Sequence, residues 1–152
     1  MRARSVVGIV VGGVADILAT NLLAIPFLVY VMVTRDFSGV PPTELGAAAL
    51  AAILASPVLQ ITGWALGLTA TVLGGYLAAR IARRAEVVHG ALSAWLCMGL
   101  GVYSIFAGDH TAPLWQHLLA FVLSPMFGAF GGYLRRSRAA SDSELSPMAA
   151  AG

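Results

Sequence analysis

The sequence predicts an all-α integral membrane protein: a four-helix bundle with a short extra helix that is either at the outer face or re-entrant. Of its 152 residues, 59% are hydrophobic and 11% are charged, whereas about 25% of a soluble domain is charged. The ranges 45–79, 87–108 and 111–134 contain no Asp, Glu, Lys or Arg. Apolar runs longer than about 18 residues indicate membrane-spanning helices. This composition excludes a soluble, disordered or disulfide-linked chain, and a membrane barrel is disfavoured because its strands alternate polar and apolar residues.

The first predicted span covers residues 6–33 and runs outward. The next long stretch, 43–79, would form a helix of about 55 Å at 1.5 Å per residue, against an apolar bilayer core of about 30 Å. The Ser56-Pro57 pair offers a break in this stretch. We therefore predict a short helix over 43–55 at the outer face and a second span over 57–79. One long tilted helix with a proline kink is the alternative.

The third span is predicted over 87–107 and the fourth over 113–134. Together the four spans form a transmembrane domain over residues 1–136. The remaining segment, 137–152, is rich in Ser and Ala and carries Pro and acidic residues. This composition is typical of a disordered, solvated tail.

The arginines predict the orientation of the chain. All nine basic residues are Arg, and eight of them lie before span 1, between spans 2 and 3, or after span 4. Only Arg35 lies between spans 1 and 2. Basic residues collect on the cytoplasmic side of a membrane, so both termini are predicted to be cytoplasmic in a bacterial inner membrane. This distribution also argues against binding to nucleic acid.

Small residues recur at a spacing of four within the predicted spans, which places them on one helix face. In lipid, such rows let helices approach closely, whereas apolar burial between helices contributes little. They predict tight packing within the bundle, or association with a second copy or a larger membrane complex. The glycines concerned are Gly8, Gly12, Gly63, Gly67, Gly75, Gly128 and Gly132.

Asp16 is the acidic residue of the first span and a candidate proton or cation site. It lies about 11 residues into the span, hence about 16 Å deep and close to the midplane. A charged carboxylate at that depth is unfavourable by at least about 2.5–3.5 kcal/mol, so such acids are often functional. The alternative is a protonated acid that only bonds neighbouring helices. The span limits place five other polar side chains at similar depth, as a midplane polar layer: Thr20, Thr69, Thr71, Cys97 and Ser124.

Further polar residues carry weaker signals. Asn21, Gln60 and Thr62 form a second polar group nearer the outer leaflet, where side chains of this kind usually bond other helices. Glu86 and His89 have the spacing of a di-iron motif, but the chain holds one copy and no partner carboxylates. Another group of metal-ligand types, Asp109, His110 and His117, matches no specific site. We predict no metal, no cofactor and no enzymatic activity, since no nucleophile–base motif is present.

Two resemblances bear on function. The stretch Gly74-Gly-Tyr-Leu-Ala-Ala-Arg80, followed by basic residues and His89-Gly-Ala91, resembles one in small bacterial four-span membrane proteins of unknown function. The plan of four short spans with Asp16 midway through the first resembles the small multidrug resistance family. That resemblance implies a proton and cation site at Asp16. The family has Glu at this place and shorter chains, and its antiparallel dimers need a weaker charge bias than this sequence has.

Two functional hypotheses follow. The first is a non-enzymatic structural or interaction module of the inner membrane, whose partners are lipid and a second copy or a larger complex. The second is a small proton-coupled transporter that uses Asp16 as its titrating site. A transporter needs water access to Asp16, whereas an interaction module needs an exposed groove of small residues.

Overall fold

A computed structural model of the chain describes residues 2–106 and 113–149, and this part is helical, without strands. The predicted all-α class is thereby confirmed. The helices, in chain order, are α1 (Arg2–Thr34), α2 (Leu45–Leu54), α3 (Pro57–Ala82), α4 (Glu86–Phe106) and α5 (Leu114–Ala149).

Three stretches of the described residues are long and apolar enough to cross a membrane: Arg4–Thr34, Pro57–Ala82 and Leu114–Ser141. Large apolar side chains point away from the bundle, and Leu22 and Ile61 are each 70% exposed. The buried positions are mostly small, because Ala and Gly predominate there. This distribution suits an apolar solvent around the helices. The 21-residue helix α4 packs against α1, α3 and α5, and a fourth membrane crossing stays a prediction.

Residues 43–79 form two helices rather than one kinked helix. The backbone of Ser56 is extended, with φ −117° and ψ 110°, and its hydroxyl accepts a bond from the Leu59 N–H at 3.5 Å. Pro57 follows in the first turn of α3, where its missing N–H removes no helical bond. The short helix α2 packs through Ala49 onto Val31 and Leu59. The break therefore holds α2 across the ends of α1 and α3.

The chain after residue 136 differs from the prediction of a disordered tail over 137–152. Helix α5 continues without interruption to Ala149, and residues 150–152 lie outside the described part. The segment contains Ala, Arg, Glu and Leu, which favour helices, and its proline is reached only at Pro147. The guanidinium of Arg138 also lies over the Tyr76 ring, 5.7 Å from its centroid. This contact ties the start of the extension to α3.

Helices α1 and α3 meet backbone to backbone through glycines. A Cβ placed on Gly12 would lie 2.7 Å from the Gly74 carbonyl oxygen, and one on Gly8 would lie 2.8 Å from the Ala78 carbonyl oxygen. Neither position has room for a side chain. The packing role predicted for Gly8 and Gly12 agrees with these contacts.

The same kind of contact joins α3, α4 and α5. Gly75 lies against the backbone of Gly128, Gly128 against Gly90, and Gly132 against the carbonyl of Glu86. These contacts agree with the predicted packing roles of Gly75, Gly128 and Gly132. Four further glycines that the spacing rule did not select also make close contacts, namely Gly13, Gly74, Gly90 and Gly131.

Gly63 and Gly67 make no close backbone contacts with other helices of the described chain, so the predicted packing within the bundle does not extend to them. A Cβ on Gly67 would meet no atom within 4 Å, and one on Gly63 would meet only the Phe27 ring at 3.5 Å. Both residues belong to the same row of α3 as Gly75. This row is in close contact with a neighbouring helix at Gly75 and without such contact at Gly63 and Gly67, because the helices diverge towards α2.

We predict that Gly75→Ala destabilises the protein and that Gly99→Ala does not. The new methyl group at Gly75 would overlap the Gly128 backbone, whereas the one at Gly99 would meet nothing within 4 Å. Overpacking of this kind lowers the free energy of unfolding by about 1–3 kcal/mol. Alanine at Gly99 should be neutral or stabilising by up to about 1 kcal/mol. Thermal unfolding in detergent, followed by circular dichroism, measures both, and equal effects would contradict the close approach.

Candidate functional site

Asp16 lies on the face of α1 that packs against α3. Its side chain is 1% exposed, and a Cβ added to Gly74 would lie 2.7 Å from the Asp16 Cβ. Glycine at position 74 therefore leaves the space that the Asp16 side chain occupies. The row of small residues on α1 brings the acid to the interior of the bundle.

Three neutral groups from three helices donate to the Asp16 carboxylate. The Thr71 hydroxyl donates to Oδ1 over 3.2 Å, the Thr20 hydroxyl to Oδ1 over 3.5 Å, and the Cys97 thiol to Oδ2 over 3.3 Å. No buried side-chain nitrogen or oxygen in the described part of the chain lacks a partner. The acid is thus solvated by hydrogen bonds from Thr and Cys, with no basic group among these three partners.

The Thr71 hydroxyl has one proton and two acceptors within reach. Besides Asp16, the carbonyl oxygen of Gly67 lies 3.1 Å from Thr71 Oγ1. With an ionised Asp16, Thr71 can donate to the carboxylate. With a protonated Asp16, the carboxyl O–H can donate to Thr71 while Thr71 donates to Gly67. The same heavy-atom positions therefore satisfy both protonation states, and apart from the proton on Asp16 the two states differ by a rotation of the Thr71 hydroxyl.

Asp16 lines a cavity of about 500 Å³ between α1, α3, α4 and α5. This volume falls in the range of small-molecule sites. The wall is mainly apolar, with a few polar groups. One end of the cavity is lined by Asp16, Thr71, Cys97 and Ser124. The part nearer the α2 end of the bundle is lined by Asn21, Gly63, Leu100 and Ala120.

The other direction is closed by the glycine contacts. One turn from Asp16, Gly12 touches Gly74, and Gly13 lies 2.9 Å from the Ser93 carbonyl oxygen, measured to an added Cβ. Gly75 and Gly128 close the gap between α3 and α5. The cavity therefore extends from Asp16 towards the α2 end, and these contacts separate it from the opposite end of the bundle, where Arg4 and Arg80 lie.

A glutamine pair bridges the helices at the α2 end. The Gln116 amide donates to the Gln60 side-chain oxygen over 3.3 Å, and the Gln60 amide donates to the Leu54 carbonyl. Gln60 precedes Gly63 by one turn, and Gln116 precedes Ala120 by one turn, so the bridge lies just beyond the cavity lining. Of the predicted outer polar group, Gln60 bonds other helices, whereas Asn21 and Thr62 bond carbonyls of their own helix.

The structure brings together four of the five residues predicted to share a layer with Asp16. Thr20, Thr71 and Cys97 bond it, and Ser124 lines the same cavity. Thr69 does not belong to this site, which corrects the prediction: it is exposed and donates to the Ala65 carbonyl over 2.7 Å. Thr69 is two residues from Thr71 and so lies about 200° around the helix. Thr69 lies at about the predicted depth along α3, but its side chain is on the helix face opposite to that of Thr71.

Ser93 on α4 was not predicted from the sequence as part of the site, and it is 1% exposed. Its hydroxyl donates to the Gly90 carbonyl over 2.8 Å, and its own carbonyl faces Gly13. The available signal was the spacing of Gly90, Ser93 and Cys97, which puts three small residues on one face of α4. Ser93 lies one turn from Cys97, on the closed side of the cavity.

Within residues 2–106 and 113–149, no group of three His, Cys, Asp or Glu side chains could hold a metal ion. Asp109 and His110 lie outside this part. His89 is buried, and its Nδ1 lies 3.0 Å from the Ala85 carbonyl oxygen.

No protein-family model matches the sequence, and no curated protein or solved structure matches it either.

We predict that Thr71→Val destabilises the protein more than Thr69→Val. The two substitutions are chemically identical. The first removes a donor to buried Asp16, whereas the second removes only a bond within α3. An interhelical bond in a membrane protein contributes about 0.6–2 kcal/mol. Thermal unfolding of both variants in detergent tests this, and equal midpoints would mean that Thr71 does not support Asp16.

We also predict that Cys97 reacts with a water-soluble mercurial added from the α2 side. Cys97 is the single cysteine of the chain and is half-buried in the cavity wall. Cys97→Ala gives the background. Gln116→Leu removes the bridge to Gln60 and should accelerate the reaction. Mass spectrometry of the adduct measures the rate, and an unreactive thiol in both proteins would mean that the cavity is not reached from that side.

Proposed function

We propose that the chain is a four-span protein of a bacterial inner membrane with both termini in the cytoplasm. Its fourth span is α4, whose 21 residues correspond to about 31 Å of helix, enough for the apolar core of a bilayer. The arginine distribution supports the orientation. In this topology the α2 end faces outward, and the cavity extends towards the outer side.

We infer that the protein is a small proton-coupled transporter in which Asp16 alternately binds a proton and a cationic substrate. The observation that carries this inference is the position of Asp16: a carboxyl group with neutral partners in the wall of a cavity of about 500 Å³. Since only 1% of the residue is exposed there, water and substrate reach the carboxyl group when the lining side chains move. Intramembrane acids that face a cavity mark ion and substrate pathways. An acid that served only to join helices would need no cavity.

The alternative role as a structural or interaction module has less support. It requires an exposed groove of small residues. Most of the glycine rows are covered by the protein's own helices, as at Gly12, Gly75 and Gly128. The open part of one row, at Gly67, faces the cavity. Small residues are therefore used for packing within the chain, and the exterior presents Leu, Ile and Val side chains suited to lipid.

The chemistry of the proposed exchange involves no covalent step. A cation that enters from the α2 end meets the protonated Asp16, and the carboxyl group releases its proton to water on the α2 side of the cavity as the cation takes its place. The Thr71 and Thr20 hydroxyls then donate to the carboxylate. Release at the other face requires the contacts between Gly12 and Gly74 and between Gly75 and Gly128 to part. These surfaces are backbone against backbone, without interlocked side chains, so helices can move past one another there.

We predict that Asp16→Asn abolishes both cation binding and the proton release that accompanies it. The probe is tetraphenylphosphonium, a cation of suitable size for the cavity. Because proton and cation compete for one carboxylate, wild-type binding should weaken by about tenfold for each unit of pH decrease in the range where Asp16 is protonated. Isothermal titration calorimetry in buffers of different ionisation enthalpy measures affinity and released protons together.

Asp36→Asn is the matched control for this experiment. Asp36 lies in the exposed turn after α1, where hydrogen bonds from the Ser38 hydroxyl and backbone N–H hold the pKa of its carboxyl below the usual value. Its substitution should leave binding and proton release unchanged. If Asp16→Asn binds the probe as well as the wild type does, or if binding releases no proton, the transporter proposal fails.

A further inference from the structure

A second cleft lies at the end of the bundle opposite α2. It has a volume of about 410 Å³ and is formed by the start of α1 and the last turns of α3. Three arginines line it together with two aliphatic side chains. The lining residues are Arg4, Leu77, Arg80, Ile81 and Arg83.

The backbone places these arginines side by side. Gly8 packs against Ala82, so Arg4, one turn earlier on α1, reaches the level where α3 ends. Arg83 follows the last residue of α3 in a left-handed conformation, with φ 53°, and its N–H donates to the Ala79 carbonyl. This bend turns the chain back towards the bundle, so that Arg83 lines the same cleft as Arg80.

The next arginine fixes this arrangement. Nε and Nη2 of Arg84 both donate to the Ser5 hydroxyl, over 3.1 and 2.9 Å. Ser5 is adjacent to Arg4, so this pair ties the start of α1 to the turn between α3 and α4. Of the residues that line the cleft in the described part of the chain, none is acidic.

We propose that this cleft binds the headgroup phosphate of an anionic phospholipid. Like charges held together are unfavourable unless an anion lies between them. Guanidinium groups match phosphate oxygens with paired hydrogen bonds. Leu77 and Ile81 offer an apolar wall for the glycerol and the start of the acyl chains. A basic pocket between helices at the cytoplasmic interface suits an anionic lipid, and the apolar wall distinguishes such a lipid from a free phosphate ion.

The test compares two double variants of the full chain. The cleft variant combines Arg4→Gln and Arg80→Gln, and the α5 variant combines Arg135→Gln and Arg136→Gln. Both remove two positive charges from the same predicted side of the membrane, but only the first pair lines the cleft. The purified proteins are offered an equimolar mixture of phosphatidylglycerol and phosphatidylcholine with identical acyl chains. Native mass spectrometry measures the ratio of the two lipids retained on each protein, and circular dichroism checks that each variant is folded.

We expect wild type and the α5 variant to prefer phosphatidylglycerol. The cleft variant should lose about 25-fold of this preference, at about fivefold per arginine. Equal losses in the two variants would mean that general surface charge attracts the lipid, which would overturn the proposal. Displacement of the lipid by excess inorganic phosphate would also overturn it, in favour of a soluble-anion site. Asp16→Asn should retain the full preference, so this result is independent of the transport proposal.

Discussion

The close approach of helix backbones at glycine positions is the constraint on which the rest of the structure depends. In lipid, apolar side chains gain little by meeting one another, so contact area and interhelical hydrogen bonds provide the attraction between helices. Gly12 against Gly74 and Gly75 against Gly128 bring three helix axes close together at the arginine end of the bundle. Towards α2 the corresponding positions, Gly63 and Gly67, are not in backbone contact. The cavity thus exists because the close backbone contacts between the helices do not continue towards α2.

This packing also makes the buried acid tolerable. Asp16 would be unfavourable at this depth without partners, yet no basic residue is among the three groups that donate to it. Two hydroxyls and a thiol serve this purpose, each contributed by a different helix. A guanidinium in the same place would hold the carboxylate ionised. Neutral donors do not hold the carboxylate ionised, which is the property that the proposed exchange site requires.

The sequence predicts the class of the protein and the position of its acid, but less of the site's geometry. Composition and charge-free runs predict the all-α class, and Ser56-Pro57 predicts the separation of α2 from α3. Depth places Thr71 with Asp16, but it selects Thr69 as well, because depth ignores the direction in which a side chain leaves the helix. Gly67 and Gly75 belong to one sequence row, and only the divergence of the helices separates their roles. Ser93 was not predicted because Gly90, Ser93 and Cys97 are spaced by three and then four residues, whereas the rows selected from the sequence had a constant spacing of four.

The length of α5 has a mechanical consequence. Its 36 residues form one helix of about 54 Å, in which Ala120 and Ser124 line the cavity while the last turns lie beyond Arg138. Pro125, next to Ser124, has no N–H to donate within the helix. A bend at this point that widens the cavity therefore displaces the far end of α5, by about 2 Å for a rotation of 5° over the final 25 Å. A change in the occupancy of the site would then move the C-terminal turns of α5, and a label or a neighbouring molecule at that end could detect the movement.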